Sequence, residues 1–180
     1  DYISEMGFNG IWLMPVCQSQ TYHKYDVVDY YTIDKEYGTN EDFKSMIKAA
    51  HEKGINVIVD LVLNHSSSSN EWFRKATTAL KNGETSGENA KYIEYYNFSQ
   101  TAQSGYKPVP NTSYYYECRF SGNMPDLNLD STQVRDEIEN IVEFWLKDMD
   151  VDGFRLDACT SFYTGNVKKN VEFLSFINDT

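Results

Sequence analysis

The stretch Ile55 to Leu63, INVIVDLVL, constrains this chain more than any other. It is nearly continuous in apolar residues and rich in β-branched ones. A strand with one wet face alternates apolar and polar side chains. A strand buried on both faces does not, and that is the pattern of parallel strands covered by helices. Directly before it, Asn40 to Lys53 reads as a helix. Asn40 is placed as its N-cap, Glu41 and Asp42 fill the first turn, and Phe43, Met46, Ile47 and Ala50 form one face. Gly54 stops it. A helix feeding a doubly buried strand is half of a βαβ unit, so the chain is expected to hold a parallel sheet.

The remaining elements extend that pattern. Tyr2 to Met6 reads as the end of a helix stopped by Gly7, and Gly10 to Val16, GIWLMPV, as a short buried strand. Later, Val134, Ile138, Ile141, Val142, Trp145, Leu146 and Met149 recur at helical spacing within Thr132 to Met149. Val151 to Ala158 follows as a strand and Val167 to Ile177 as an amphipathic helix. Between the two regular parts lies a segment rich in Ser, Asn, Gly, Thr and Tyr, from Ser66 to Asn123. Only Glu71 to Leu80 and Asn89 to Tyr96 look helical in it. It is too long for a simple loop, and Trp72, Phe73 and its tyrosines do not suit a flexible linker. The reading is an α/β fold built of right-handed βαβ units. Residues 1–65 form its first part, 66–123 an irregular insertion after a strand, and 124–180 its continuation.

Composition narrows the partners. A formal charge of −11 over 180 residues argues against nucleic acid, whose binders carry basic patches. No apolar stretch approaches the ~20 residues of a membrane span. Cys17, Cys118 and Cys159 have no metal-ligand spacing and leave one unpaired, so neither a disulfide framework nor a zinc site is expected. The chain opens on Asp-Tyr-Ile with no leader, as a mature or excised fragment would. Its 14 Tyr and 3 Trp offer flat apolar faces with polar edges, surfaces that sugars use.

The chemistry gathers at the strand ends. Residues i and i+2 of a strand share a face, so Arg155 and Asp157 in VDGFRLDACT point together, flanked by Phe154, Leu156 and Ala158. Asp60, Val62 and Asn64 share parity at the end of the central run, which closes with His65. If the two strands are neighbours, Asp60 reaches Arg155, offsetting the cost of burying either charge. The first strand runs into Thr21-Tyr22-His23-Lys24-Tyr25-Asp26. In α/β barrels functional groups collect at such C-terminal strand ends. An ionised Asp157 there can act as nucleophile, base or metal ligand.

These residues carry a resemblance. The chain resembles glycoside hydrolase family 13, the α-amylase family, over essentially its whole length. GIWLMPV resembles the family's second barrel strand, and DLVLNH (Asp60 to His65) the end of its third. MPDLN (Met124 to Asn128) resembles the motif late in the inserted domain B, and GFRLDA (Gly153 to Ala158) the fourth strand. The resemblance implies part of a (β/α)8 TIM barrel with domain B inserted after the third strand. It implies that Asp157 is the nucleophile of a retaining mechanism and that Arg155 orients it. It also implies that Tyr25 stacks on, and His65 hydrogen-bonds, the sugar at the cleavage subsite. Asp60 is read as the structural ion-pair partner of Arg155. Asn64, Asp126 and the Ser161 carbonyl match calcium ligands, and calcium prefers oxygen.

The expected activity is hydrolysis of α-1,4 bonds in starch or maltooligosaccharides. An α-1,6-glucosidase, a transglycosylase of the same family, and more remotely a non-enzymatic amylase-like scaffold such as a transporter heavy subunit are the alternatives. An extracellular or cell-surface location is expected from the polymeric substrate. The departures inform the choice. Thr160 and Ser161 replace a Lys-His pair common in α-amylases, whereas Tyr22 and Met124 replace an Asp and a Gln typical of α-1,6-glucosidases. The family's general acid and its stabilising Asp follow later strands, and Glu172 lies on an outer helix. The 180-residue segment alone is therefore expected not to turn over.

Overall fold

A computed structural model describes all 180 residues. In chain order the elements begin with α1 (Tyr2–Glu5), β1 (Gly10–Leu13), β2 (Cys17–Ser19), β3 (Val27–Ile33), α2 (Asn40–His51) and β4 (Asn56–Leu61). Next come α3 (Glu71–Asn82), a 3-10 turn (Ala90–Tyr95), β5 (Phe98–Ser99), β6 (Tyr106–Pro108) and β7 (Tyr115–Glu117). The chain closes with α4 (Thr132–Glu143), a π-helical turn (Phe144–Asp148), β8 (Gly153–Leu156) and α5 (Val167–Asp179).

The centre is a parallel sheet in the order β1-β4-β8. Strand β4 lies in the middle because its residues tolerate cover on both faces: Val57, Val59 and Leu61 are buried on one, and Asp60, with half-buried Ile58, on the other. The register sets Asp60 opposite Arg155 and Trp12 opposite Ile58. At the other end of the sheet, Asp152 ties the strands to α2. Its carboxylate accepts the Val57 N–H at 2.6 Å and faces His51 Nε2 at 2.9 Å.

Helix α2 forms where expected but is capped one residue earlier. Thr39 is the N-cap and forms a reciprocal capping box with Asp42. Asn40 instead turns to β3, accepting the Ile33 N–H and donating to the Tyr31 carbonyl, both at 2.9 Å. Met46, expected on the buried face, lies at its edge and is exposed. Helix α4 ends in the π-helical turn, which shifts the helical phase. Trp145 is thereby buried against Phe43 and donates Nε1–H to the Tyr30 carbonyl at 3.0 Å. Leu146, expected inside, turns outward and is 38% exposed.

Two features go beyond the pattern expected from the sequence. The antiparallel hairpin β2–β3 has irregular register, with shifts on both sides of Gln18. Its longer strand buries Val27, Tyr30 and Ile33, a spacing of three that hides the period of two. The segment after β4 is also more ordered than expected, since β5, β7 and β6 form a small antiparallel sheet packed near α3 and the 3-10 turn. Its two ends meet in a neck. Ser66 N–H donates to the Pro125 carbonyl (3.1 Å), Ser68 N–H to Asn123 (2.8 Å) and Leu127 N–H to Asn64 (3.0 Å).

Candidate active site

The C-terminal ends of β4 and β8 and the loop of hairpin β2–β3 converge on one ion-pair network. Arg155 Nη1 donates to both oxygens of Asp60 at 3.0 Å and to Asp157 Oδ1 at 2.6 Å. Tyr25 donates its phenol to Asp60 Oδ2 at 3.1 Å. The Asp60 side chain is wholly buried, while that of Arg155 is 40% exposed. Burial raises the Asp60 pKa, and the bonds from Arg155 and Tyr25 pull against that rise. Burial works against the Arg155 charge too, yet the bonds to Asp157 and Asp60 more than compensate. Burial, then the neighbouring Asp60, raises the Tyr25 phenol and keeps it a donor. Asp157 is thus held by one oxygen, and its Oδ2 makes no hydrogen bond within the protein. A carboxylate fixed on one side and free on the other can attack an electrophile or hold a cation.

Asp157 lines a cleft of about 270 Å³ with Tyr25, His65, His23, Phe120 and Met124. The structure thus brings together the sequence-derived Asp157, Tyr25 and His65. His65 is nearly inaccessible, at 2% exposed. Its Nε2 faces the Tyr25 carbonyl at 3.2 Å and its Nδ1 the Asn64 carboxamide nitrogen at 3.3 Å. A carbonyl only accepts, so Nε2 carries the proton and Nδ1 accepts. Burial lowers the pKa of the ring. The direct work of His65 within the chain is therefore to hold the backbone of Tyr25. His23 and Phe120 were missed in the sequence. His23 stands two residues from Tyr25, a hint that spacing alone did not decode. Phe120 comes from the segment between β7 and the neck, with its ring centroid 5.4 Å from that of His65. No local pattern signals that contact.

Asn64 does not share the face of Asp60 as strand parity suggested, because β4 ends at Leu61. It turns into the neck, where its Nδ2 lies 3.3 Å from Asp126 Oδ1. These two residues, Ser161 and Glu117 line a polar cavity of about 290 Å³. Asp126 is buried, and its oxygens receive only N–H groups, from Asn64 and the Arg119 backbone. Burial, aided by the Glu117 charge, pushes its pKa up to about 7. Asn64 Oδ1 accepts no hydrogen bond. A buried carboxylate short of positive charge, beside an unused amide oxygen, offers oxygen donors of the kind a hard cation takes. No three His, Cys, Asp or Glu side chains gather for a metal, so amide and carbonyl oxygens would have to complete the shell.

A parallel sheet whose strand ends present a carboxylate–guanidinium pair to a cleft, roofed by an insertion after the middle strand, defines a segment of an α/β-barrel enzyme. The comparisons make this specific: a family model described as "Alpha amylase, catalytic domain" matches residues 1–173, and the chain belongs to that family. It is 41% identical over 189 aligned positions to Alpha-amylase 3 of Dictyoglomus thermophilum, covering 98% of this chain and 35% of that one. It is 36% identical to the 4-alpha-glucanotransferase of Thermotoga maritima, covering 97% of this chain and 40% of that one. Other relatives are named oligo-1,6-glucosidases. Among solved structures, Eubacterium rectale Amy13B superposes with a TM-score of 0.95 at 45% identity, covering 99% of this chain and 35% of that one. The chain thus spans 35–40% of the length of these curated relatives. The sheet β1-β4-β8 is part of a TIM barrel, as such neighbours have.

Proposed function

We propose that the full-length protein carrying this chain is a retaining α-glucan hydrolase that cleaves α-1,4 bonds in starch or maltooligosaccharides. The supporting observation is the 2.6 Å Arg155–Asp157 pair opening onto the cleft that Tyr25 and His65 also line. In this reading Asp157 Oδ2 attacks the anomeric carbon, forming a glycosyl ester as the leaving oxygen departs. Arg155, bonded to Oδ1, holds the nucleophile so that Oδ2 faces the cleft. Tyr25 offers its ring to the sugar while its phenol, bonded to Asp60, fixes that ring. His65 steadies the Tyr25 backbone beneath the cleft. Protonation of the leaving group falls to a second carboxyl, which a retaining mechanism needs about 5–5.5 Å from the first.

Calcium belongs to the same proposal. Asn64, Asp126 and the Ser161 carbonyl would hold it, with Glu117 facing the same cavity. Bound there, it would supply charge to Asp126 and fasten the insertion to the barrel.

The test is product analysis on maltoheptaose and on an α-1,6-linked isomaltooligosaccharide, with Asp157→Asn alongside. Cleavage of the first, lost in the variant, supports the reading. Cleavage of only the second moves the protein to the α-1,6-glucosidases, and cleavage of neither favours a non-catalytic scaffold. Longer products than the substrate would point to transglycosylation, a reading favoured by the similarity to a glucanotransferase.

A further inference from the structure

Lys24 is the one buried lysine or arginine in the chain, at 3% exposed, and nothing above uses it. It sits between His23 and Tyr25, which both line the cleft. Its own side chain runs the other way, into the base of hairpin β2–β3. There Nζ lies 3.2 Å from Asp34 Oδ2 and donates to Glu36. Asp34 is itself built into the turn, accepting the Ser19 N–H at 2.9 Å and the Glu36 N–H at 3.0 Å. A buried Asp26 accepts the hydroxyls of Ser19, at 2.6 Å, and Thr21. The loop from Ser19 to Asp26 is thus fastened at its start, middle and end.

The middle fastening carries strain. Lys24 has φ +62°, in the left-handed region that side chains with a Cβ disfavour. Such a conformation persists only where the surroundings enforce it. Here the enforcement is the ammonium, whose two carboxylate partners draw the side chain inward. The consequence for the neighbours is direct. Turning residue 24 inward leaves residues 23 and 25 facing the cleft. They are then locked together, since the Tyr25 N–H donates to His23 Nδ1 at 3.1 Å. That placement brings the Tyr25 phenol to Asp60 and its carbonyl to His65.

We propose that Lys24 is a positioning residue: its ammonium, clamped by Asp34 and Glu36, holds the left-handed turn that aims Tyr25 and His23 into the catalytic cleft. The proposal rests on the reading of Tyr25 as a substrate-binding residue. It assigns Lys24 no contact with substrate.

The experiment is a double-mutant cycle in the full-length protein, with steady-state hydrolysis of maltoheptaose as the readout. Lys24→Met keeps the stem and removes the charge. It is expected to lower kcat/KM by roughly 10- to 100-fold, chiefly through kcat, as displacements of about 1 Å in a reacting site do. Lys24→Arg restores part of the loss. Lys35→Met makes the same chemical change at an exposed position of the adjoining turn and leaves the rate unchanged. In a Tyr25→Ala background, Lys24→Met is expected to cost less than about twofold, because coupled residues are non-additive. Should Lys24→Met fail to fold by circular dichroism, Glu36→Gln removes one clamp and is expected to show a smaller loss with the same dependence on Tyr25. Losses that multiply in full, with Tyr25→Ala itself impaired, would overturn the Lys24 role and leave Tyr25 standing. A Tyr25→Ala variant with wild-type rates would overturn the reading of Tyr25, and the Lys24 role with it.

Discussion

Arg155→Met is the perturbation that most sharply examines the ion-pair network. Methionine keeps an unbranched stem of similar bulk to the arginine's aliphatic part and deletes the charge. What remains is Asp60, whose side chain is wholly buried and which keeps only the Tyr25 phenol at 3.1 Å. Removing one partner of a buried pair strands the other charge and costs about 3–5 kcal/mol. The partly exposed guanidinium loses less by its removal, so the figure is set by Asp60. The cost depends on pH. Burial already raises the Asp60 pKa in the intact chain, and losing Arg155 raises it further. A carboxyl with a raised folded-state pKa favours the fold below its unfolded value, and that advantage is lost as pH rises through the folded value. The penalty of Arg155→Met is therefore largest near neutral pH and shrinks toward the ordinary carboxylate range. Adding Asp60→Asn should recover most of it, since a neutral pair leaves no stranded charge. The assay is urea unfolding of the full-length protein at pH 7 and pH 5, with wild type, both single variants and the double. A penalty below about 1 kcal/mol, or one independent of pH, would refute the assignment of Asp60 as a buried charge held by Arg155.

Two further outcomes follow from other parts of the molecule. If calcium occupies the Asn64–Asp126 cavity, a chelator lowers the melting temperature and added calcium restores it, since a ligand at 100 times its Kd stabilises by about 2.7 kcal/mol; an unchanged melt with no metal by elemental analysis would remove the site. At the far end of the sheet, the hydrogen bond to Asp152 outweighs burial and raises the His51 pKa, while the Val57 N–H and His51 overcome burial and lower that of Asp152. The histidine part is present below its unfolded pKa and lost as pH rises through the folded one; the carboxylate part is lost on acidification. His51→Gln should thus destabilise by up to about 1 kcal/mol near pH 5–6 and by little at pH 8.5, and an equal loss at both would contradict the pairing.

How much of this was legible beforehand differs by element. The central strand follows from its continuous apolar run and helices α2, α4 and α5 from apolar periodicity, signals that are local and strong. The neighbouring of Asp60 and Arg155 was readable as a condition, needing only that two parallel strands be adjacent. The hairpin β2–β3 was not, because its register shifts around Gln18 break the alternation that marks a strand. Thr39 and Asn40 are both residue types that cap well, and what selects Thr39 is that Asn40 finds backbone partners in β3. His23, Phe120, Glu117 and Lys24 carry no role in the sequence pattern. Three of them gain their meaning from contacts distant in sequence, such as Lys24 with Glu36 or Phe120 with His65, and His23 from a backbone turn that places it beside Tyr25. No spacing in the sequence encodes such contacts.

Asp157 as the nucleophile is the proposal on which the other site roles depend. The most direct measurement is to trap the intermediate in the full-length protein with a 5-fluoroglucosyl fluoride, digest it, and locate the label by mass spectrometry. The expected result is loss of fluoride, time-dependent inactivation, and one fluoroglucosyl group on the peptide containing Asp157. A label on another carboxylate, or unlabelled enzyme that still cleaves maltoheptaose with retention, would contradict it.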